Sequence, residues 1–362
     1  MNRLCSFGIV AALVSTLTAG IPAVHAAQKV DFSGKRIEMI VPFNPGGGSD
    51  VYSRALAPFL EKYLPGNPTI VVRNVPGGGS ITGTNQFHNR AKPDGTYVLI
   101  SSSSTVMNYV FQRKKFEFDL SRAQPIVLSP QGSVVYAATS LGVKSAKDIG
   151  KLKSQQLTFG GNTPTGAELR VTTAFELLGL NVKYVWGIER GPARLAFERG
   201  ELTINYDTTP GYTKNASQLV KAGKAVPLFT LGILNEKGEL VRDPNFKDLP
   251  NFAEVYEIAL GKKPSGPAYE AWKAVLKMGV MANKAIVLPP ETPAPVADAW
   301  REAVRKTLAD PEFDAKAGKV IEGYPQFVGE AARPILKDAT SLKPEVWEWL
   351  KNFLKTEHNV TL

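Results

Sequence analysis

The sequence is poor in the side chains on which most enzymes depend. Its 362 residues hold one cysteine and three histidines. Cys5 and His25 both lie ahead of Ala27, so a chain cleaved after Ala26 keeps no thiol. Disulfides, thiol catalysis and cysteine metal sites are thereby excluded from the mature protein. His88 and His358 are far apart, no HExxH or similar spacing accompanies them, and neither a metal nor another cofactor is expected. There is no G-x-S-x-G elbow, the P-loop pattern lacks its Lys-Ser/Thr ending, and GGGSD does not fit G-x-G-x-x-G. No catalytic residue is assigned. Positive charge is in excess, with a formal net charge of +10, but it is scattered, and Arg113–Lys115 is the longest basic run. Without a basic stripe interleaved with aromatics, nucleic acid is not an expected partner. The charge suits small anions and serves solubility equally well.

The first 26 residues are expected to be removed. Arg3, an apolar core from Phe7 to Ala19, and the small residues Val24 and Ala26 form the pattern of a cleaved secretory signal. A membrane anchor is the alternative, but the apolar run is too short to span a bilayer and Pro22 ends it. No later stretch is apolar enough to cross a membrane. An exported protein located in the periplasm is expected, with 336 residues of the 362 remaining, enough for two domains.

One stretch organises the rest, IEMIVPFNPGGGSDVYSRAL from Ile37 to Leu56. Met39–Phe43 reads as a buried strand. Gly46–Gly48 follow, where no Cβ blocks close approach to the backbone. Ser49 or Asp50 then caps a helix whose apolar face is Tyr52, Leu56, Phe59 and Tyr63, with Pro58 expected to kink it or reset its start. A strand, a glycine loop and a helix N-terminus make an anion site; equally, they make a plain connection.

The unit then repeats. Thr69–Arg73 is a strand leading into NVPGGGS and a helix from Ile81; Tyr97–Ile100 is a strand leading into Ser101–Thr105. Alternating strands and helices imply a parallel sheet whose carboxyl edge gathers these loops. The serines also read as a polar loop or a helix cap. From Ala123 a second domain is expected to repeat the scheme. Its strands are Pro125–Leu128, Val134–Ala138, Leu157–Phe159, Val182–Trp186 and Leu202–Tyr206, and the polar loop GGNTPTG follows the third. Val226–Leu231 is expected to lead the chain back to the first domain. The remainder reads as helices, and the stripe Val346, Trp347, Leu350, Phe353 and Leu354 on the last is expected to dock on the protein's own surface.

Three motifs in order carry a resemblance. V-P-F-x-x-G-G-G-S-D-x-x-x-R is Val41 to Arg54, an N-x-P-G-G-G element is Asn74 to Gly79 with Gly83 beyond, and P-D-G-T-Y-x-L is Pro93 to Leu99. The chain resembles the extracytoplasmic solute receptors of tripartite tricarboxylate transporters, the Bug receptors. The resemblance implies a type II periplasmic-binding-protein fold, α/β throughout, with two doubly wound α/β domains and a ligand cleft between them. It implies domain I at 27–122 and 229–362, the latter with the C-terminal helices, and domain II at 123–228. It also implies a non-enzymatic receptor that closes over a di- or tricarboxylate or an aromatic carboxylate and passes it to membrane permease subunits, as a monomer. Carried over, the ligand-binding residues are Phe43, Gly47, Ser49 and Asp50, then Gly78, Gly79 and Ser80, then Ser102 and Ser103. Facing them are Gly161, Asn162, Thr163 and Thr165, with Asp207 as a later contact. The second-domain loop departs from the family's serine-glycine-histidine pattern, which leaves the ligand's identity open. An exported enzyme using Asp50 or Asp207 as acid or base, and a ligand-sensing partner of a membrane kinase, are the alternatives.

Overall fold

The computed structural model describes residues 30–235 and 237–362. The expected leader, 1–26, lies outside the described residues. In chain order the strands of the first half are β1 (Arg36–Val41), β2 (Thr69–Asn74), β3 (Tyr97–Ser102), β4 (Gln124–Ser129), β5 (Ser133–Ala138) and β6 (Leu157–Gly161). Those of the second half are β7 (Val182–Trp186), β8 (Ile204–Thr208), β9 (Ala225–Thr230), β10 (Ile233–Leu234), β11 (Leu240–Val241), β12 (Lys284–Leu288) and β13 (Phe327–Val328). The helices that position the site are α1 (Gly48–Tyr63), α2 (Ile81–Arg90), α3 (Ser103–Phe111), α4 (Leu169–Leu178) and α5 (Arg190–Glu198).

A six-stranded sheet in the order β13-β4-β12-β3-β1-β2 forms one layer. Its parallel heart is β2, β1 and β3, with Ile40 opposite Arg73 on one side and Leu99 on the other. Ile37, Met39, Ile40 and Val41 are all fully buried, as expected for a parallel strand covered by helices on both faces. On one face Met39 and Val41 pack with Tyr52, Leu56 and Trp300; on the other Ile40 packs with Leu99, Val106 and Met107. Because β1, β2 and β3 run in parallel, their carboxyl ends and the loops that follow lie along one edge.

The other strands form a three-stranded antiparallel sheet, β8-β5-β9, a parallel pair, β6-β7, and a short antiparallel pair, β10-β11. The expected repeat of the first scheme therefore holds only for β6 and β7. Val135, Phe159, Phe175, Phe229 and Trp272 share one core beneath these strands, and Val134, Tyr136, Phe197 and Tyr212 share another.

Four sequence readings are corrected. Gln124–Ser129, expected to open the second unit, is β4 and pairs with β12 and β13 in the first sheet. Val226–Leu231 does not return the chain, because β9 pairs with β5. The return is made by β12, KAIVL, a short buried run between two helical patterns in a region that the sequence reading assigns to helices. The outgoing and returning segments lie side by side there, with Gln131 N–H donating to the Val280 carbonyl at 3.0 Å. Finally, α1 runs unbroken through Pro58. The proline is on the solvent side of the helix, as is Arg54 one turn back, so water can take the carbonyl the ring leaves free.

The C-terminal helix Pro344–His358 docks as expected. Leu350 and Leu354 are fully buried, and each contributes about 1.5–3 kcal/mol on burial. The helix also reaches the second unit, where the His358 ring meets Tyr184 at 4.6 Å between centroids. Among the described residues no helix is long and apolar enough to cross a membrane.

Candidate functional site

The first glycine loop leaves β1 at Val41 and enters α1 at Gly48, with Gly47 at the N-cap position and no side chain capping the helix. Its opening N–H groups thus stay available for something other than the helix. Gly46, at φ +79°, supplies the left-handed turn. Asp50 braces the loop: one carboxylate oxygen accepts from Gly46 N–H at 2.8 Å and the other from Arg54 Nε at 2.9 Å. Burial raises the Asp50 pKa, but hydrogen bonds from Arg54, Gly46 and Asn74 outweigh it and hold the group below its ordinary value. Arg54 reaches on to Asn74 at 2.9 Å, and Asn74 donates to the Phe43 carbonyl at 3.0 Å, so the first loop is tied to the end of β2. Ser49 is buried, and its carbonyl accepts from Ser53 Oγ.

The second loop is a left-handed turn. Gly78, Gly79 and Ser80 have φ of +55°, +65° and +93° in succession. Glycine adopts this freely; for Ser80 it is strain of about 1–3 kcal/mol, of the kind that clusters at binding sites. Ser80 is 1% exposed, and its Oγ makes no hydrogen bond within the protein. Gly83 lets α2 pack against the first loop, since a Cβ there would meet the Val75 carbonyl at 2.5 Å and Pro42 Cβ at 2.8 Å.

At the third loop Ser102 caps α3 in a reciprocal arrangement with Thr105, which is the helix-cap reading of the serines. Ser103 is buried and its N–H donates to the Asn283 carbonyl at 3.0 Å.

From the second unit, the loop after β6 lies opposite. Thr165 Oγ1 donates to Asn108 Oδ1 at 3.1 Å, while Asn108 Nδ2 donates to the Gly79 carbonyl at 2.8 Å. Asn108, on α3, thus joins the second glycine loop to the facing loop; nothing in its sequence neighbourhood singles it out. Gly161, Asn162 and Thr163 shape the facing loop through their carbonyls, which accept from Ile188, Gly187 and Gly166 respectively. The Asn162 side chain is exposed. A second bridge runs from Asn44 Nδ2 to Glu189 Oε1 at 3.2 Å, just before α5.

Asp207 stands apart from this group. The residue is 2% exposed, and its carboxylate is held by Arg194 through both oxygens, at 2.9 Å and 2.5 Å, and by the Tyr136 hydroxyl at 2.9 Å. It is committed to a buried ion pair within the second unit. Arg190 does similar work nearby: it donates to Asn205 and to the Gly160 and Tyr206 carbonyls, and lies 3.5 Å from Glu168. No sequence motif marks either arginine.

No family model matches the chain. Among curated proteins it is similar to a UPF0065 protein of Bordetella pertussis, 28% identical over 305 residues that cover 80% of this chain and 82% of that one. It is also similar to protein BugT of Bordetella pertussis, 45% identical over 87 residues, 24% of this chain and 25% of that protein. Its curated relatives are thus UPF0065 and Bug proteins, the first matched over most of both chains and BugT over about a quarter. Among solved structures it is similar to periplasmic binding protein BugD, with a TM-score of 0.62 at 23% identity, covering 88% of this chain and 97% of that one. The periplasmic-binding-protein fold follows from that likeness.

Proposed function

We propose that this chain is a Bug-type periplasmic receptor that binds a small organic acid between its two units and delivers it to a tripartite transporter permease. The carrying observation is the convergence at one sheet edge of a helix N-terminus without a capping side chain, a strained left-handed turn with a buried free hydroxyl, and the Thr165 loop. Backbone N–H groups in such a place favour a carboxylate. The site residues are those of the three first-domain loops with the loop from Gly161 to Thr165; Asp207 stays in the set only as a buttress of the second unit. The chain is proposed to divide at 130–132 and again at 281–283, to act as a monomer after removal of its leader, and to close about those crossings. The enzyme alternative is disfavoured because Asp50 and Asp207, its acids, are each engaged by arginine.

A thermal-shift screen of the mature protein against dicarboxylic, tricarboxylic, aromatic and amino acids tests the reading. A ligand specific for the folded state adds roughly 2.7 kcal/mol of stability at one hundred times its dissociation constant. A strong shift with one class of acids is expected. No shift with any acid, on folded and ligand-stripped protein, overturns it.

A further inference from the structure

Lys284 is the first residue of β12, in register with Ser102 of β3 on one side and Ser129 of β4 on the other. That register sets it level with the third loop, at the edge where the glycine loops gather. It is only 7% exposed. Its Nζ hydrogen-bonds to Asn283, at 2.6 Å to Oδ1 and 3.5 Å to the backbone carbonyl, and among the described residues it pairs with no carboxylate. A Cβ built on Gly48 would lie 4.0 Å from that Nζ, so the ammonium is held against the first turn of α1. That is the positive end of the helix, where a cation is disfavoured.

A second buried cation stands behind it. Arg170 of α4 is 1% exposed, donates to the Gly279 carbonyl at 2.6 Å, and lies over the Tyr206 ring at 5.2 Å. Its Nε makes no hydrogen bond within the protein, and it too has no carboxylate partner among the described residues. Two acids of the site loops are paired elsewhere, Asp50 with Arg54 and Glu168 with Arg190. Burying positive charge without a counter-charge is costly, and a methionine or leucine would fill the same space without that cost. The arrangement makes sense if the missing negative charge arrives with the ligand.

We propose that Lys284, backed by Arg170, forms a direct ion pair with the ligand carboxylate received at the N-terminus of α1. The site then demands an ionised carboxylate there, and does not hold it by neutral backbone groups alone. The proposal rests on the receptor reading above and adds a specificity-determining residue to it. Burial and the Arg170 charge lower the Lys284 pKa to about 7 in the protein alone, so an arriving anion should draw a proton onto Nζ.

Isothermal titration calorimetry of the mature protein with succinate, citrate, glutamate and benzoate, each at pH 8 in two buffers of different ionisation enthalpy, tests this. Any acid that binds is repeated with Lys284→Met and Lys284→Gln, whose melting temperatures report that they fold. The expected result is roughly hundred-fold weaker binding in both variants, with proton uptake present in the wild type and lost in the variants. Binding within threefold of wild type, or weaker binding with the proton uptake unchanged, overturns the ion pair and leaves the receptor reading standing. Failure of all four acids to bind the wild type overturns the receptor reading and the ion pair with it.

Discussion

The two sides of the site are built from different materials. The first-domain side is backbone: Gly46, Gly78, Gly79 and Ser80 at positive φ, and a helix start left open, with Asp50 and Asn74 holding the loops from behind. The second-unit side rests on side chains behind its loop: Asp207 with Arg194 and Tyr136, and Glu168 with Arg190 beside Phe159 and Tyr206. A backbone site reads the general shape of a carboxylate and tolerates little change in its own conformation. A side-chain wall can be re-cut one residue at a time. The first kind suits what many ligands share and the second what distinguishes them.

The sharpest way to break the second side is Arg194→Met. It leaves Asp207 buried with only the Tyr136 hydroxyl, and loss of one partner from a buried pair costs about 3–5 kcal/mol. Urea unfolding should show that loss, while the double variant Arg194→Met/Asp207→Asn, which removes the orphaned charge as well, should cost distinctly less. Equal costs would mean that the pair is exposed to water in solution.

Lys284, a side chain on the otherwise backbone-built first side, offers the next largest effect, of opposite sign. Its pKa in the folded protein, about 7, is below that of the unfolded chain. Between pH 7 and about 10.4 the unfolded chain therefore holds a proton that the folded protein does not, and stability rises with pH. Lys284→Met should melt higher than the wild type in the absence of ligand. The gap should be full at pH 7 and below and should shrink as pH rises towards 10. A gap that is constant across that range would show that the lysine is solvated.

The same contrast explains what can be read from the sequence. Glycines clustered after a β-branched or apolar run signal a strand and a tight loop, so β1, β2, α1 and the first two loops are legible as elements, although β1 runs from Arg36 to Val41 and not from Met39 to Phe43, and Gly47, not Ser49 or Asp50, is at the N-cap of α1. The long-range pairings are not. Arg194 and Asp207 are 13 residues apart, and Asn108 meets Thr165 across 57 residues, with no local pattern that demands either bond. The sequence reading puts β4 in the wrong sheet because a strand's sequence says that it is buried and not which neighbour buries it. It misses β12 because KAIVL is a short apolar run between two helices, where periodicity separates strand from helix poorly. The first residue of that strand is the buried lysine.

On the backbone side, Gly83→Ala should cost about 2 kcal/mol, because the added methyl meets the Val75 carbonyl and Pro42, which are backbone and ring atoms that cannot swing away. Alanine's better helix propensity returns part of this, up to about 1 kcal/mol. Binding of any acid found in the screen should weaken as well, since the methyl pushes the second loop off the first. Full stability with full binding would show that the two loops are not rigidly coupled.

The smallest effect sharpens the role of Asp50. In Asp50→Asn one of the two oxygens becomes an NH2 group and must face a donor, either Gly46 N–H or Arg54 Nε. With Arg54 about half exposed, the ion pair itself is modest, and a total cost of about 1 kcal/mol is expected. The sign with pH follows from its depressed pKa. The stabilisation is present above the ordinary carboxylate range and is lost as pH falls through the folded value, so wild type and variant should converge in urea midpoint as pH is lowered below about 4. Because Asp50 braces the loop from behind, the variant should keep its ligand preference among acids while binding all of them somewhat less tightly. A changed preference would place the Asp50 carboxylate against the ligand itself, as a selecting group and not a brace.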